Sequence, residues 1–212
     1  MNQPRRLLVL APHTDDAELG CGASICRLLE EGVEVHVAVF STAEASLDLS
    51  APKDTLKNEF FEAMALLGLE KNALSVYDYP VRMLSDHRQE VLENLVVLKR
   101  DLSPDVAFVP SSSDLHQDHQ VLFAEAARAF KQITLWGYEL PWNHVTFAAQ
   151  GFVALEAVHI ERKWRALQAY HSQLELGRPY FTRSFIEGLA RVRGIQLGTE
   201  FAEAFEVMRI RW

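Results

Sequence analysis

The sequence contains no run of about 18 apolar residues, the length that a helix needs to span a bilayer, so we expect no membrane span. It also has no excess of basic residues: 21 Lys and Arg stand against 29 Asp and Glu, a net charge of -8. Proteins that bind nucleic acid or anionic membranes usually carry a basic patch, so neither class is favoured. Cys21 and Cys26 are too few for a disulfide framework, and a cytoplasmic location is expected.

Linkers and repeats are absent too. No stretch rich in Gly, Ser or Pro divides the chain, and no low-complexity segment interrupts it. Hydrophobic residues make up 49% of the 212 positions, which is enough for one globular core. We therefore expect a single domain over residues 1–212.

Short β-branched runs alternate with segments of helical periodicity. The predicted strands are 6–11, 33–41, 74–80, 105–110 and 133–139, and the predicted helices between them are 20–32, 54–67, 86–101 and 119–131. Because these strands are almost continuously apolar, they are typical of a parallel sheet that is covered on both faces. The last third predicts helices at about 157–172 and 184–193 and a strand near 203–209. The expected fold class is α/β, with a Rossmann-like, doubly wound, mostly parallel sheet and helices on both faces.

Ionisable residues are concentrated where the first and fourth predicted strands end. The two loops, "APHTDDAELG" and "HQDH", contain His13, Asp15, Asp16, Glu18, His116, Asp118 and His119. In a doubly wound sheet these strands are neighbours and ligands bind at their carboxyl ends, so we expect the loops to meet. A helix N-terminus explains one or two of the carboxylates but not His13. Imidazole and carboxylate are zinc ligands, so the pattern predicts a metal site.

At these residues the sequence resembles the PIG-L/LmbE family of zinc-dependent N-acetylglucosaminyl deacetylases. The family's first motif, Ala-His-Pro-Asp-Asp-Glu, is present as "PHTDDAE", with Thr14 in place of proline and Ala17 inserted before Glu18. Its second motif, His-x-Asp-His, is complete. "EFFEAMALLGL" is similar to the family's helix after the second strand, although Leu56 replaces an arginine, and "ALQAYHSQ" and "FAEAFEVMR" resemble a sugar-cluster branch. The resemblance covers nearly the whole chain.

This resemblance implies a set of catalytic roles. His13, Asp16 and His119 would bind the metal, Zn²⁺ or alternatively Fe²⁺ or another divalent ion. Asp15 would be the general base that activates the attacking water. His116 would be protonated, would stabilise the developing oxyanion and would then donate a proton to the leaving amine.

The residues around this set also have predicted roles. Asp118 is predicted either to orient His116 through its ring N–H or to cap the helix that begins there. Arg82 follows the third predicted strand and either contacts substrate hydroxyls or a phosphate or is solvated. Trp142 and Asn143 follow the fifth strand and are expected to stack on a sugar ring and to hydrogen-bond it. Arg193 and Glu203 are predicted to form a buried pair beneath the site.

The predicted activity is metal-dependent deacetylation of an N-acetylated amino sugar or its conjugate. Two alternatives stay open: a related amidase or esterase that acts on a substrate other than a sugar, and a non-catalytic metal-binding scaffold. The presence of Asp15 and His116 argues against the scaffold, because metal binding alone requires neither. Similar proteins form trimers or hexamers, so a homo-oligomer that acts on a small molecule is expected.

Overall fold

The structure is a computed structural model that describes residues 4–48 and 50–211. In chain order its strands and α-helices are β1 (Arg6–His13), α1 (Asp16–Glu30), β2 (Glu34–Ser41), α2 (Thr55–Leu67), β3 (Leu74–Val76), α3 (Arg88–Leu102), β4 (Val106–Pro110), α4 (Gln117–Ala129), β5 (Thr134–Tyr138), β6 (Gly151–Leu155), α5 (Ala157–Gln168), α6 (His171–Leu174), α7 (Arg183–Leu197) and β7 (Phe201–Arg209). Within these ranges, no helix is both long and apolar enough to cross a membrane.

All seven strands form one sheet in the order β3-β2-β1-β4-β5-β7-β6. The first five strands in this order are parallel to one another, whereas β7 runs antiparallel to both β5 and β6. β1 lies directly beside β4, with Leu8 opposite Ala107. The chain order reverses between these two strands, and this is the position where doubly wound sheets bind ligands. The predicted mostly parallel α/β fold is confirmed.

Helices cover both faces of the sheet because alternate residues of each central strand point to opposite sides. Leu7 and Val9 of β1 belong to the core under α1, α2 and α5, while Leu8 and Leu10 belong to the core under α3 and α4. All four side chains are almost completely buried. Burial on both sides explains why these strands are apolar without alternation.

The differences from the sequence prediction lie in the edge strand and the helix ends. β6 was not predicted, because a short edge strand becomes recognisable only through its pairing with β7, about fifty residues later in the chain. α1 begins at Asp16, four residues before the predicted start, so the acidic loop forms its first turn. The helix predicted over 157–172 ends at Gln168, and the short α6 follows it.

Gly194 lies where α7 packs against the backbone before β7. A Cβ at this position would be 2.6 Å from the carbonyl oxygen of Glu200. We expect Gly194→Ala to lower the free energy of unfolding by about 1–3 kcal/mol, because the backbone must move to accommodate the methyl group. Urea denaturation followed by circular dichroism measures this change.

Gly188 in the same helix is the matched control, because a Cβ there would meet no atom within 4 Å. Gly188→Ala should stabilise the protein by roughly 0.5–1 kcal/mol through helix propensity. Equal stability of the two alanine variants would contradict the packing described for Gly194.

Candidate metal centre and catalytic pocket

A cavity of about 310 Å³ opens at the carboxyl edge of the sheet. Its lining comes from the ends of the first five strands and the segments that follow them, and from α6 and the connection between α6 and α7. The ionisable residues that line it are His13, Asp15, Asp16, Arg82, His116, His119 and Arg178. The two polar loops therefore meet, although His13 and His119 are 106 residues apart in the chain.

Three donor atoms form a nearly equilateral triangle in this cavity. The Nδ1 atom of His13 lies 3.2 Å from Oδ2 of Asp16 and 3.4 Å from Nε2 of His119. The same Asp16 oxygen is 3.3 Å from Nε2 of His119. Ligands about 2.0 Å from a tetrahedral zinc ion are roughly 3.3 Å from one another, so these side chains fit such an ion. A wider cluster adds His116, because one ring nitrogen from each of the three histidines lies within 4.8 Å of the others.

Each of the two buried histidines is held by a carboxylate on its other ring nitrogen. Nε2 of His13 lies 2.8 Å from Oδ2 of Asp118, and Nδ1 of His119 lies 2.8 Å from Oδ2 of Asp114. Carboxylates in this position fix the tautomer and orientation of metal-binding histidines. Because the carboxylates contact Nε2 of His13 and Nδ1 of His119, the other two ring nitrogens, Nδ1 of His13 and Nε2 of His119, are available to bind a cation.

The predicted role of Asp118 is therefore wrong in both of its forms. Its carboxylate accepts hydrogen bonds from the backbone N–H groups of Arg82 and Leu84 besides its contact with His13, so it neither orients His116 nor caps α4. It instead ties the segment after β3 to the first loop. The strand order decides this, because β1 lies between β2 and β4 and brings His13 next to α4.

Asp114 was missed by the sequence analysis. Besides holding His119, its carboxylate accepts the backbone N–H of His116 at 2.8 Å. Its position five residues before His119 was the available signal, because a carboxylate close to a metal-binding histidine is a candidate outer partner.

The charges around the triangle favour a bound cation. Burial lowers the pKa of His119, but the carboxylates of Asp16 and Asp114 outweigh it and raise that pKa to about 10. Burial also lowers the pKa of His13, but the hydrogen bonds to Asp118 and Asp16 outweigh burial, so that the pKa is raised. The carboxylates thus favour positive charge at these two imidazoles. A divalent ion can supply the same positive charge.

Asp15 is held in an unusual backbone conformation beside these groups. Its φ is 79°, in the left-handed region that Asp and Asn tolerate better than most residues. Its N–H donates to the hydroxyl of Tyr170, which in turn donates to Glu18 at 2.6 Å. Burial, aided by Asp16 and Glu18, raises the pKa of the Asp15 carboxyl well above its usual range. This carboxyl can therefore accept and hold a proton.

His116 precedes the first residue of α4 and acts as its N-cap. Its Nδ1 accepts the backbone N–H of Asp118 at 3.2 Å, which requires a lone pair on that nitrogen. Burial and the neighbouring His119 and His13 lower the pKa of the ring. Both observations favour a neutral imidazole with its proton on Nε2, and the protonation of His116 during the reaction stays a prediction.

Comparison with known proteins agrees with the chemistry of the site. Residues 8–130 match the family model "PIG-L: GlcNAc-PI de-N-acetylase", which is more than half of the chain. This chain belongs to the PIG-L family. The matched region runs from β1 to the end of α4 and contains every histidine and carboxylate of the metal centre.

Individual relatives extend the similarity beyond this region. The chain is 27% identical to the "uncharacterized deacetylase YaiS" of Escherichia coli K12 over 177 residues, 81% of this chain and 93% of YaiS. It superposes on the conserved protein TT1542 of Thermus thermophilus with a TM-score of 0.81, 27% identity and 97% coverage of both chains. The N,N'-diacetylchitobiose deacetylase of Pyrococcus horikoshii gives a TM-score of 0.80 over 97% of this chain and 84% of that chain at 21% identity, which shows the shared fold alone.

The predicted substrate residues all line the cavity of this PIG-L protein, but two have other partners as well. Asn143 donates from Nδ2 to Oδ2 of Asp114 at 3.3 Å, so it supports the metal centre. Tyr180 covers one face of the Trp142 indole, with ring centroids 3.9 Å apart, so a sugar could stack only on the other face. Arg82 lines the cavity in a left-handed conformation, with φ 69°.

The predicted buried pair of Arg193 and Glu203 is wrong. Arg193 forms its ion pair with Glu139, and Glu203 lies 2.7 Å from Lys163 of α5. Both Lys163 and Glu203 are buried, and a buried carboxylate needs a cation close by. α5 packs on α1 and supplies that cation, an arrangement that the sequence pattern does not reveal.

The outer part of the cavity comes from a segment outside the family match. Gln173, Arg178 and Tyr180 lie near α6 and in the connection between α6 and α7. The sequence analysis did not select these residues. Gln173 ends the segment "ALQAYHSQ", which resembles the family but was assigned no role. The only signal for Arg178 and Tyr180 was an arginine next to aromatic side chains in "GRPYF", which is too common to indicate a binding site.

Proposed function

We propose that this protein removes the acetyl group from an N-acetylated amino sugar or its conjugate, with a divalent metal, most simply Zn²⁺, as cofactor. The family match to a GlcNAc-PI de-N-acetylase supports a sugar substrate. The diacetylchitobiose deacetylase with the same fold points in the same direction. The observation that carries the proposal is the triangle of three ligand atoms beside Asp15 and His116.

His13, Asp16 and His119 would hold the ion, since their donor atoms are 3.2–3.4 Å apart. His116 differs from the two histidines of this set, because its Nδ1 accepts a backbone N–H whereas the outer ring nitrogens of His13 and His119 contact carboxylates. A bound divalent ion lowers the pKa of a water molecule and polarises the acyl oxygen. Two nitrogens and one oxygen from the protein leave coordination positions open, which is typical of catalytic zinc sites.

The remaining side chains supply the proton transfers. Asp15 accepts a proton as water attacks the acetamide carbonyl. The raised pKa of its carboxyl lets it keep that proton and deliver it to the nitrogen, which must be protonated before the C–N bond breaks. Neutral His116 donates its Nε2–H to the acyl oxygen while negative charge develops there. Because the lowered pKa of His116 disfavours a protonated ring, Asp15 is the better proton donor to the leaving amine.

The homo-oligomer and the cytoplasmic location stay predictions beside this proposal. Size-exclusion chromatography with light scattering measures the oligomeric state.

Metal analysis and an acetate-release assay test the proposal together. Purified protein should contain about one equivalent of a divalent metal by inductively coupled plasma mass spectrometry. It should release acetate from N-acetylglucosamine or its glycosides, should lose this activity with a chelator and should regain it with stoichiometric Zn²⁺. Acetate release from N-acetyl amino acids or acetate esters, but from no sugar, would favour the amidase or esterase alternative. Metal binding without acetate release from any of these compounds would favour the scaffold.

A further inference from the structure

Arg178 is a half-buried cation in the wall of the catalytic cavity. Its guanidinium donates to the Tyr180 hydroxyl at 2.7 Å. Its charge is close enough to Asp15 to lower the pKa of that carboxyl, in opposition to the larger effect of burial. Arg178 therefore lies within electrostatic range of the reacting groups but contacts a neutral hydroxyl.

Many other arginines of the protein form an ion pair with a carboxylate. Arg88 lies 2.5 Å from Glu125, and Arg162 lies 2.7 Å from Glu30. Over residues 4–48 and 50–211, neither Arg178 nor Arg82 forms an ion pair with a carboxylate, and both line the catalytic cavity. Arg178 is half-buried and Arg82 is exposed. A guanidinium without a carboxylate partner is available to bind an anion from solution.

The aromatic neighbours give Arg178 a defined position. The Tyr180 ring stacks on Trp142 with an interplanar angle of 12°, and Phe185 of α7 packs against the indole. The hydroxyl of Tyr180 then holds the guanidinium. A guanidinium that is ordered in advance loses less entropy when it binds a ligand than a freely moving one.

We propose that Arg178, together with Arg82, forms an anion subsite in the catalytic cavity, so that the preferred substrate is an N-acetyl amino sugar that bears a phosphate or carboxylate. This inference rests on the proposed function and specifies the substrate class for the same site. The metal centre and Arg82 lie in the region that matches the family model, whereas Arg178 lies outside it. The shared region thus provides the chemistry, and the segment between α6 and α7 adds selectivity.

Substrate comparisons test the subsite. The metal-loaded protein is assayed with neutral N-acetylglucosamine, with N-acetylglucosamine 1-phosphate and with the carboxylate N-acetylmuramic acid. We expect kcat/KM to be about 10-fold or more higher for at least one of the two anionic compounds, because a charge-assisted hydrogen bond contributes binding energy of that size. A preference for one anionic compound over the other identifies the anion.

Arg178→Met keeps the aliphatic stem against Tyr180 and removes the charge. It should lower kcat/KM for the preferred anionic substrate by about 10- to 100-fold, mainly through KM, and change that of neutral N-acetylglucosamine by much less. Arg178→Lys should recover part of the loss. Arg183→Met is the matched control, because Arg183 begins α7 at the surface and pairs with Glu161 and Glu187.

If Arg178→Met lowered kcat equally for neutral and anionic substrates and shifted the pH profile, Arg178 would act only through the pKa of Asp15. That result would overturn the subsite. No preference for either anionic compound would overturn it as well. Calorimetric titration of the metal-loaded protein separates this inference from the proposed function, since it needs no turnover. If no sugar is hydrolysed, the proposed function fails. The subsite still stands if N-acetylglucosamine 1-phosphate binds more tightly than N-acetylglucosamine and Arg178→Met abolishes this difference. Inorganic phosphate should not bind more tightly than N-acetylglucosamine.

Discussion

Replacing Asp15 with asparagine should lower kcat by about 10²–10⁴-fold, the range that a positioned acid–base group contributes, while the protein keeps its metal. Asparagine has nearly the same size and tolerates the left-handed backbone found at this position, so the loop should keep its shape. It cannot accept a proton from the attacking water. The measurements are kcat by acetate release and metal content by mass spectrometry on the same preparation.

Asp101→Asn is the control for Asp15→Asn, because Asp101 is an exposed carboxylate paired with Arg100 on the surface. It should leave both kcat and metal content unchanged. Near-normal turnover in Asp15→Asn would assign the base to another residue. Loss of metal in this variant would place Asp15 among the ligands.

Replacing His13 with alanine should remove the metal and, with it, the activity. Loss of an outer carboxylate partner usually weakens metal affinity by about 10–100-fold, and loss of a direct ligand should exceed that. Asp118 keeps its hydrogen bonds from the backbone of Arg82 and Leu84, so the variant should still fold. Metal content after dialysis and circular dichroism check the two parts of this prediction.

His116→Ala is the informative comparison for His13→Ala. His116 belongs to the wider histidine cluster, yet its Nδ1 caps α4. We therefore expect His116→Ala to retain metal and to lose turnover, whereas His87→Ala, on the surface beside Glu90, should change neither. If His116→Ala lost metal as readily as His13→Ala, the three histidines would be the ligands in place of Asp16.

The residue types of the candidate metal centre and their approximate position could be predicted from the sequence because both depend on local pattern. His13 ends β1 and Asp16 begins α1, while His116 caps α4 and His119 lies in its first turn. The parallel strands could be recognised from their continuous apolar composition, and the order of such strands brings their carboxyl ends together. That prediction placed two loops in one cavity without any knowledge of side-chain contacts.

The errors concern partners that are distant in the chain. Asp118 holds His13 rather than His116, and Glu203 pairs with Lys163 rather than Arg193. In each case the partner chosen from the sequence was plausible by charge. Packing selected another because the energetic need of a buried charge is met by whichever group the fold brings closest.

By itself, the sequence determined the fold class, the family and the chemical groups available for catalysis, since periodicity and short motifs act over a few residues. The tertiary structure decided which carboxylate holds each histidine, that Nδ1 of His116 accepts a backbone N–H, and that Arg178 and Tyr180 complete the cavity wall. These features depend on distances between segments up to about 160 residues apart, and only the packing of helices on the sheet fixes such distances.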